Sequence, residues 1–411
     1  MNPNIKRLLL IVLLLAVAVA IGFGIYTLFF KKVTTPVAVQ PQPSVPGGQL
    51  PPAGQRPPVT GGAVGGVTPQ PTLPIAGQIP VAESGIYQPT AVTQVTSDFV
   101  NYTSTNNTDG AARYYNAADG KFYKIQPDGS IKMLTSQIFY NVSNVTWATK
   151  QDKAILEYPD GSKIVYDFAK QKQLTTLPKH WQEFSFSPEG NQIAAKSIGL
   201  SPENRWLVTT NDDGTGTTLV EPMGNNADEV QINWSPSRQT VAFSMTGEAK
   251  GFDRREVLFV GLNHENFKST VVEGMGFEPK WSPTGQKLLY SVYSARSNYN
   301  PELWVVNSYG DNIGSNRQAL QINTWADKCA FPSDDILVCA VPRDLPQGAG
   351  MSPTVADNNI YDLYKIDLKT GLKINLPLGG DYRVQDVSYD QVNNKVFFTD
   401  KSQNGIFEVK L

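Results

Sequence analysis

Few residues in this chain could do covalent or metal chemistry. Among 411 residues there are two histidines and two cysteines. His180 stands in "LPKHWQEF" and His264 in "GLNHENF", a tight turn, and the two do not have the spacing of a metal-binding pair. No G-x-S-x-G nucleophile elbow occurs, and no S-x-D-x-G-x-T-W box. "NDDGTG" (211–216) and "PSDD" (332–335) carry oxygen ligands of the calcium type without the register of a full loop. Asp-Gly pairs of this kind are ordinary turn residues. No cofactor and no metal is therefore expected. What remains is binding chemistry. Arg205, Lys250, Arg254, Arg255, Arg296, Tyr299 and Arg343 lie in or beside four polar stretches, "KSIGLSPEN", "TGEAKGFDRRE", "SARSNYNPE" and "PRDLPQGAGMSPTVADNN". Guanidinium groups grip carboxylates and phosphates through two parallel hydrogen bonds, and a tyrosine ring stacks on a sugar or peptide group. These seven residues are the expected binding set.

The elements that would position them repeat along the chain. "KWSPTGQKLLYSVYS" (280–294) is an aromatic, a Ser-Pro-x-Gly turn and an apolar run. "NWSPSRQTVAFSM" and "FSFSPEGNQIAAK" repeat it upstream. Aligned on Trp281, the series runs through Trp147, Phe186, Trp234, Ala330 and Tyr389, with a weaker member near Val100. Each unit carries a second hairpin, such as "ELWVVNSYGDN", ending in an Asp, Asn or Gly turn. Four antiparallel strands per unit, repeated seven times, predict an all-β, seven-bladed propeller over 86–411, with a six-bladed ring as the alternative. The proline sets one turn angle, the glycine supplies positive φ, and the aromatic fills the space between neighbouring blades. The long polar stretches then become the connections between second and third strands, all on one face, where binding usually lives.

"WSPTG", "WSPSR" and "FSPEG", each followed by a strand such as "KLLYSV", resemble the hairpin of TolB-type, WD-like propeller repeats. Related repeats occur in the propellers of prolyl-oligopeptidase-type enzymes. The resemblance covers roughly 145–400 and implies an envelope-facing binding module. The chain departs from both relatives. Within these 411 residues no α/β peptidase domain is expected beside the repeats, and a hydrophobic segment and a Pro-rich stretch precede them.

That segment, Leu8 to Phe30, has no charge and is long enough to cross a bilayer as a helix. Residues 1–32 are expected to be a transmembrane anchor with its N-terminus cytoplasmic. Residues 33–85, rich in Pro, Gly, Gln and Val with Arg56 as the only basic residue, are expected to be a disordered linker. Residues 86–411 carry thirty basic and thirty-six acidic side chains, so nothing points to nucleic acid. The expected function is a membrane-anchored, extracytoplasmic, non-catalytic binding module for a protein or an anionic envelope polymer. The alternative is a propeller hydrolase acting on envelope carbohydrate or peptide, because carboxylates gathered from separate blades would show no linear spacing. Two structural expectations follow. "GIFEVKL" at the end supplies only a third strand, so "IYQPTAVTQV" (86–95) should close the last blade and remove its open edge. Cys329 and Cys339 flank "AFPSDDILV" on two arms of one hairpin, where they could form a disulfide in an oxidising compartment or stay as buried thiols.

Overall fold

The computed structural model describes residues 90–265 and 267–411, and the expected anchor, the linker and residues 86–89 lie outside them. Among the described residues no helix is long and apolar enough to cross a membrane.

Seven antiparallel sheets follow one another along the chain. Blades 1 to 6 occupy 100–133, 144–177, 181–222, 230–273, 275–319 and 329–376. Blade 7 takes its three inner strands from Val384–Asp390, Lys395–Asp400 and Ile406–Lys410. Its outer strand is Val92–Thr96, paired antiparallel with Ile406–Lys410 so that Val92 faces Val409. The two ends of the described chain therefore close one blade, as the missing fourth strand requires, with the strand itself beginning at Val92. Blade 4 departs from four strands. Its third strand, Arg254–Val260, pairs with Ala242–Ser244 along one half and with an extra short strand, Ala249–Gly251, along the other.

The burial pattern explains why the repeat needs its neighbours. Second strands are buried along both faces. In blade 3, Ile193 and Ala195 pack toward blade 2 while Ala194 packs toward blade 4. In blade 6, Leu337 and Cys339 face blade 5, and Val338 and Ala340 face blade 7. Side chains alternate across a strand, so a sheet that is apolar on both faces must be covered on both. The marker aromatics sit in these layers. Trp281 stacks on Phe243 of blade 4 with centroids 5.1 Å apart, and Trp147 donates its indole N–H to Tyr102 O of blade 1 at 2.8 Å.

The Ser-Pro turns repeat in atomic detail. Gly190, Arg238 and Gly285 each donate their N–H to the serine carbonyl three residues back, and each has φ between 66° and 75°. Arg238 adopts this left-handed conformation where its two counterparts are glycine, which favours it far more. The serine hydroxyls of Ser187, Ser235 and Ser282 accept the N–H five residues on. Cys329 and Cys339 face each other in register, fully buried, and are joined as a disulfide.

Candidate functional site

Connections between first and second strands, and between third and fourth, lie on one face of the ring, the turn face. The remaining connections form the loop face. The turn face is taken up by ties between blades. Lys287 of blade 5 meets Asp335 of blade 6 at 2.6 Å, Arg238 of blade 4 meets Glu189 of blade 3 at 2.6 Å, and Lys153 of blade 2 pairs with Asp212 of blade 3.

The loop face carries the seven expected binding residues, and nearly all their polar groups already have partners. Arg205 opens the third strand of blade 3 and donates to the carbonyls of Gly199 and Leu200, which shapes its own loop. Lys250 donates to Glu248 at 2.6 Å and Arg255 to Glu229 at 2.7 Å. Arg343 holds Asp362 through two nitrogens and reaches Asp381 at 3.1 Å. Arg296 pairs with Glu302 at 2.7 Å and with Glu273 at 3.4 Å, and lies over the Trp304 ring. Tyr299 is half-buried with φ 57°, and its carbonyl accepts the N–H of Gly350. Arg254 makes one loose contact, 3.6 Å from Glu273. Lys250, Arg254 and Arg255 belong to a hairpin rather than to an irregular loop, and Phe252 at its tip is 87% exposed. His180 and His264 are both exposed, and His264 contacts Glu221. Among the described residues no three His, Cys, Asp or Glu side chains could hold a metal ion together.

Two cavities meet beneath this face. The first is a cleft of about 730 Å³ between blades 4 and 5. It exists because the chain passes from blade 4 to blade 5 through a single residue, Gly274, leaving no connecting loop to fill the space. Gly274 has φ 149°, and a Cβ there would come within 2.9 Å of Val292 Cβ, so the tight passage needs glycine. The cleft walls are largely apolar, with Met245, Val257, Val272, Met275 and Phe277 among them, and the blade 4 hairpin forms one rim. The second cavity, about 690 Å³, lies on the ring axis and is lined by inner strands of several blades. Gln231, Phe277 and Glu278 line both, so the cleft opens into the axial channel.

The channel gathers Glu183, Glu278, Asp327 and Asp386 with Lys280. Each is engaged. Glu183 takes Lys196 at 2.6 Å, Asp327 takes Lys328 at 3.0 Å, Asp386 accepts from the Thr399 hydroxyl, and Lys280 donates to Cys329 O. Glu278 accepts from the Ser291 hydroxyl at 3.0 Å. Burial, with Asp327 close by, raises the Glu278 carboxyl above the usual range, and burial lowers the Lys280 amine against the pull of Asp327 and Asp386. The sign of the consequence is fixed. Ionised Glu278 is worse placed in the fold than in the unfolded chain, so it costs stability above its raised pKa and nothing below the ordinary value of 4.5. Glu278→Gln should therefore melt higher than the parent at pH 8, with the gap closing by about pH 4. Thermal melts at the two pH values check this, and a gap that widens in acid contradicts it.

Sequence reasoning identified the cations but not their acids. Glu302 stands six residues after Arg296, inside "SARSNYNPE", whereas Glu229 and Glu273 lie 26 and 23 residues before Arg255 and Arg296, and only the topology brings them to the same rim.

The class of protein is thus a seven-bladed β-propeller closed by its own N-terminal strand, with a loop-face cleft running into the axial channel. No protein-family model matches the sequence, and no curated protein matches it. Solved structures do. The β-propeller domain of Cps50 (Swd1) from Myceliophteria thermophila superimposes with a TM-score of 0.52 at 11% identity, covering 78% of this chain and 99% of that one. Oligogalacturonate lyase from Vibrio parahaemolyticus gives 0.52 at 12%, covering 78% and 93%. TolB from Acinetobacter baumannii gives 0.42 at 15%, covering 68% and 64%. At these identities the first two likenesses show the fold alone, and propellers host many functions.

Proposed function

We propose that this protein is a non-catalytic binding module that takes an extended segment of a partner protein into the loop-face cleft. The observation that carries the reading is the cleft itself: an open groove with largely apolar walls on the loop face, continuous with the axial channel. Apolar walls with polar groups at the rim suit a chain that buries alternate side chains. In this reading residues 8–30 anchor the protein in a membrane, residues 33–85 act as a spacer, and the propeller stands outside the cytoplasm. The uncharged N-terminal stretch supports the anchor. The register of Cys329 and Cys339 supports an oxidising compartment, and mass spectrometry of unreduced protein from native membranes tests it, since two free thiols would point to the cytoplasm.

The test of the cleft uses peptides selected from a random library on the full-length chain. Met275 lines the cleft and is 45% exposed, so Met275→Trp should fill the groove without unfolding the protein. Peptide affinity should fall at least about tenfold, as burial of a competing aromatic implies, with the melting temperature unchanged. Undiminished binding would rule out the cleft as the binding surface.

A second reading, a hydrolase acting on envelope carbohydrate or peptide, draws on the four channel carboxylates and the raised pKa of Glu278. It ranks second because Glu183 and Asp327 are ion-paired and Asp386 and Glu278 hold hydroxyl donors.

A further inference from the structure

We infer that Arg254, with Arg296 beside it, is a carboxylate anchor at the rim of the cleft, and that the bound segment presents an acidic group next to apolar side chains. The inference rests on the binding reading above and adds the chemistry of its ligand.

Arg254 differs from the other loop-face cations. Among the described residues its guanidinium has no hydrogen-bond partner, and its one ion contact is the loose 3.6 Å approach to Glu273. That carboxylate is already occupied. Arg317 holds Glu273 at 2.7 Å and Arg296 approaches it at 3.4 Å, while the second amine of Arg296 is on Glu302 at 2.7 Å. Three guanidinium groups thus share two carboxylates, and Arg254 is last in line. It is about half exposed and carries five donors in a planar fork, the geometry that pairs with a carboxylate through two bonds.

Its surroundings fit such a ligand. Arg254 lines both the large cleft and a smaller notch of about 200 Å³, where Phe252, Ser294 and Arg296 stand around it. Phe252 projects from the hairpin tip, 87% exposed, and offers a ring to an apolar neighbour of the acid. The hairpin holds this arrangement through positive φ at Gly251 and Asp253, 125° and 54°. Asp253 lies in the same notch, forms no ion pair there among the described residues, and opposes an incoming carboxylate. The apolar walls of the cleft favour a peptide over a polyuronate, which has no apolar side chains to bury in them.

The experiment uses the full-length chain and two random peptide libraries, one with free C-termini and one flanked on both sides. Selected peptides should be enriched in Asp or Glu beside apolar residues if a side chain supplies the acid. Enrichment only among free C-termini would assign it to the chain terminus. Arg254→Gln should weaken these peptides about tenfold or more, in line with the loss of a charge-assisted pair. Arg254→Lys should fall between, and Asp253→Asn should bind more tightly than the parent. Changing the peptide's acid to its amide should cost as much in the parent and nothing further in Arg254→Gln. Arg254 is exposed and nearly unpartnered, so these variants should melt like the parent. Peptides without acidic preference, indifferent to Arg254→Gln but lost in Met275→Trp, would overturn the anchor and leave the binding cleft standing. Peptides indifferent to both variants, or no selected peptides at all, would overturn the cleft as well. A polyuronate that binds through Arg254 where no peptide does would overturn the ligand class.

Discussion

Replacing residues 90–96 by a Gly-Ser segment of the same length should lower the melting temperature by roughly 10 °C or more, at about 2–4 °C per kcal/mol for a domain of this size. The segment keeps the chain connected, so only the strand is lost. Val92–Thr96 supplies the outer strand of blade 7. Val92 packs with the blade 6/7 layer and Val95 with the blade 7/1 layer. Both valines are partly buried, so each contributes less than the roughly 1.5–3 kcal/mol of full burial, and the ladder of backbone bonds is lost with them. A second effect is structural. Ile406–Lys410 would become an exposed edge, ready to pair with another copy. The variant should therefore elute partly as dimers and larger species on size exclusion. A variant that melts like the parent and stays monomeric would mean that the ring does not depend on this closure.

Arg113→Met should destabilise the propeller by roughly 3 kcal/mol, the lower end of what breaking a buried ionic contact costs, and a denaturant titration reads it. Arg113 is fully buried between blades 1 and 2. Its guanidinium donates to Gln151 O at 2.6 Å, Ala148 O at 2.9 Å, Thr105 O at 3.3 Å and the Ser104 hydroxyl at 3.1 Å, and lies 4.6 Å from the Trp147 ring centroid. Burial pulls its pKa down to about 10 despite Asp152 and Asp109, so it stays charged at neutral pH. Methionine fills part of the volume and leaves buried carbonyls without their donor. Asp152 keeps Lys124 at 2.7 Å, which limits the loss. An unchanged midpoint would mean that this buried cation contributes specificity and no net stability.

The ring was legible in the sequence for a local reason. The Ser-Pro-x-Gly phrase sets its turn through its own backbone and hydroxyl bonds, and the aromatic before it has only one place to go, between blades. Even Arg238, which lacks the glycine, keeps the turn. The cleft was not legible, because it comes from the single-residue connection at Gly274 and from walls drawn from blades 4 and 5 together with Trp325 and Gly350. The hairpin at 249–257 carries no hairpin signal in the sequence, because "GFD" has none of the Asn-Gly or Asp-Gly pairs that usually mark a tight turn. The partners of Arg255 and Arg343, and Glu273 beside Arg296, come from outside their own loops, so a set of cations looks free in the sequence that the fold leaves mostly engaged, with Arg254 the one loosely held.

The loop-face cleft is proposed as the working surface of this propeller. Site-specific photo-cross-linking in native membranes tests it most directly, with a photoreactive residue placed at Met275 in the cleft and, separately, at exposed Asp128 on the turn face. A discrete cross-linked protein is expected from position 275, lost when the cleft is filled by Trp at a neighbouring exposed position, Ala249, and absent from position 128. Cross-links from position 128 alone, or the same product from both positions, would contradict it.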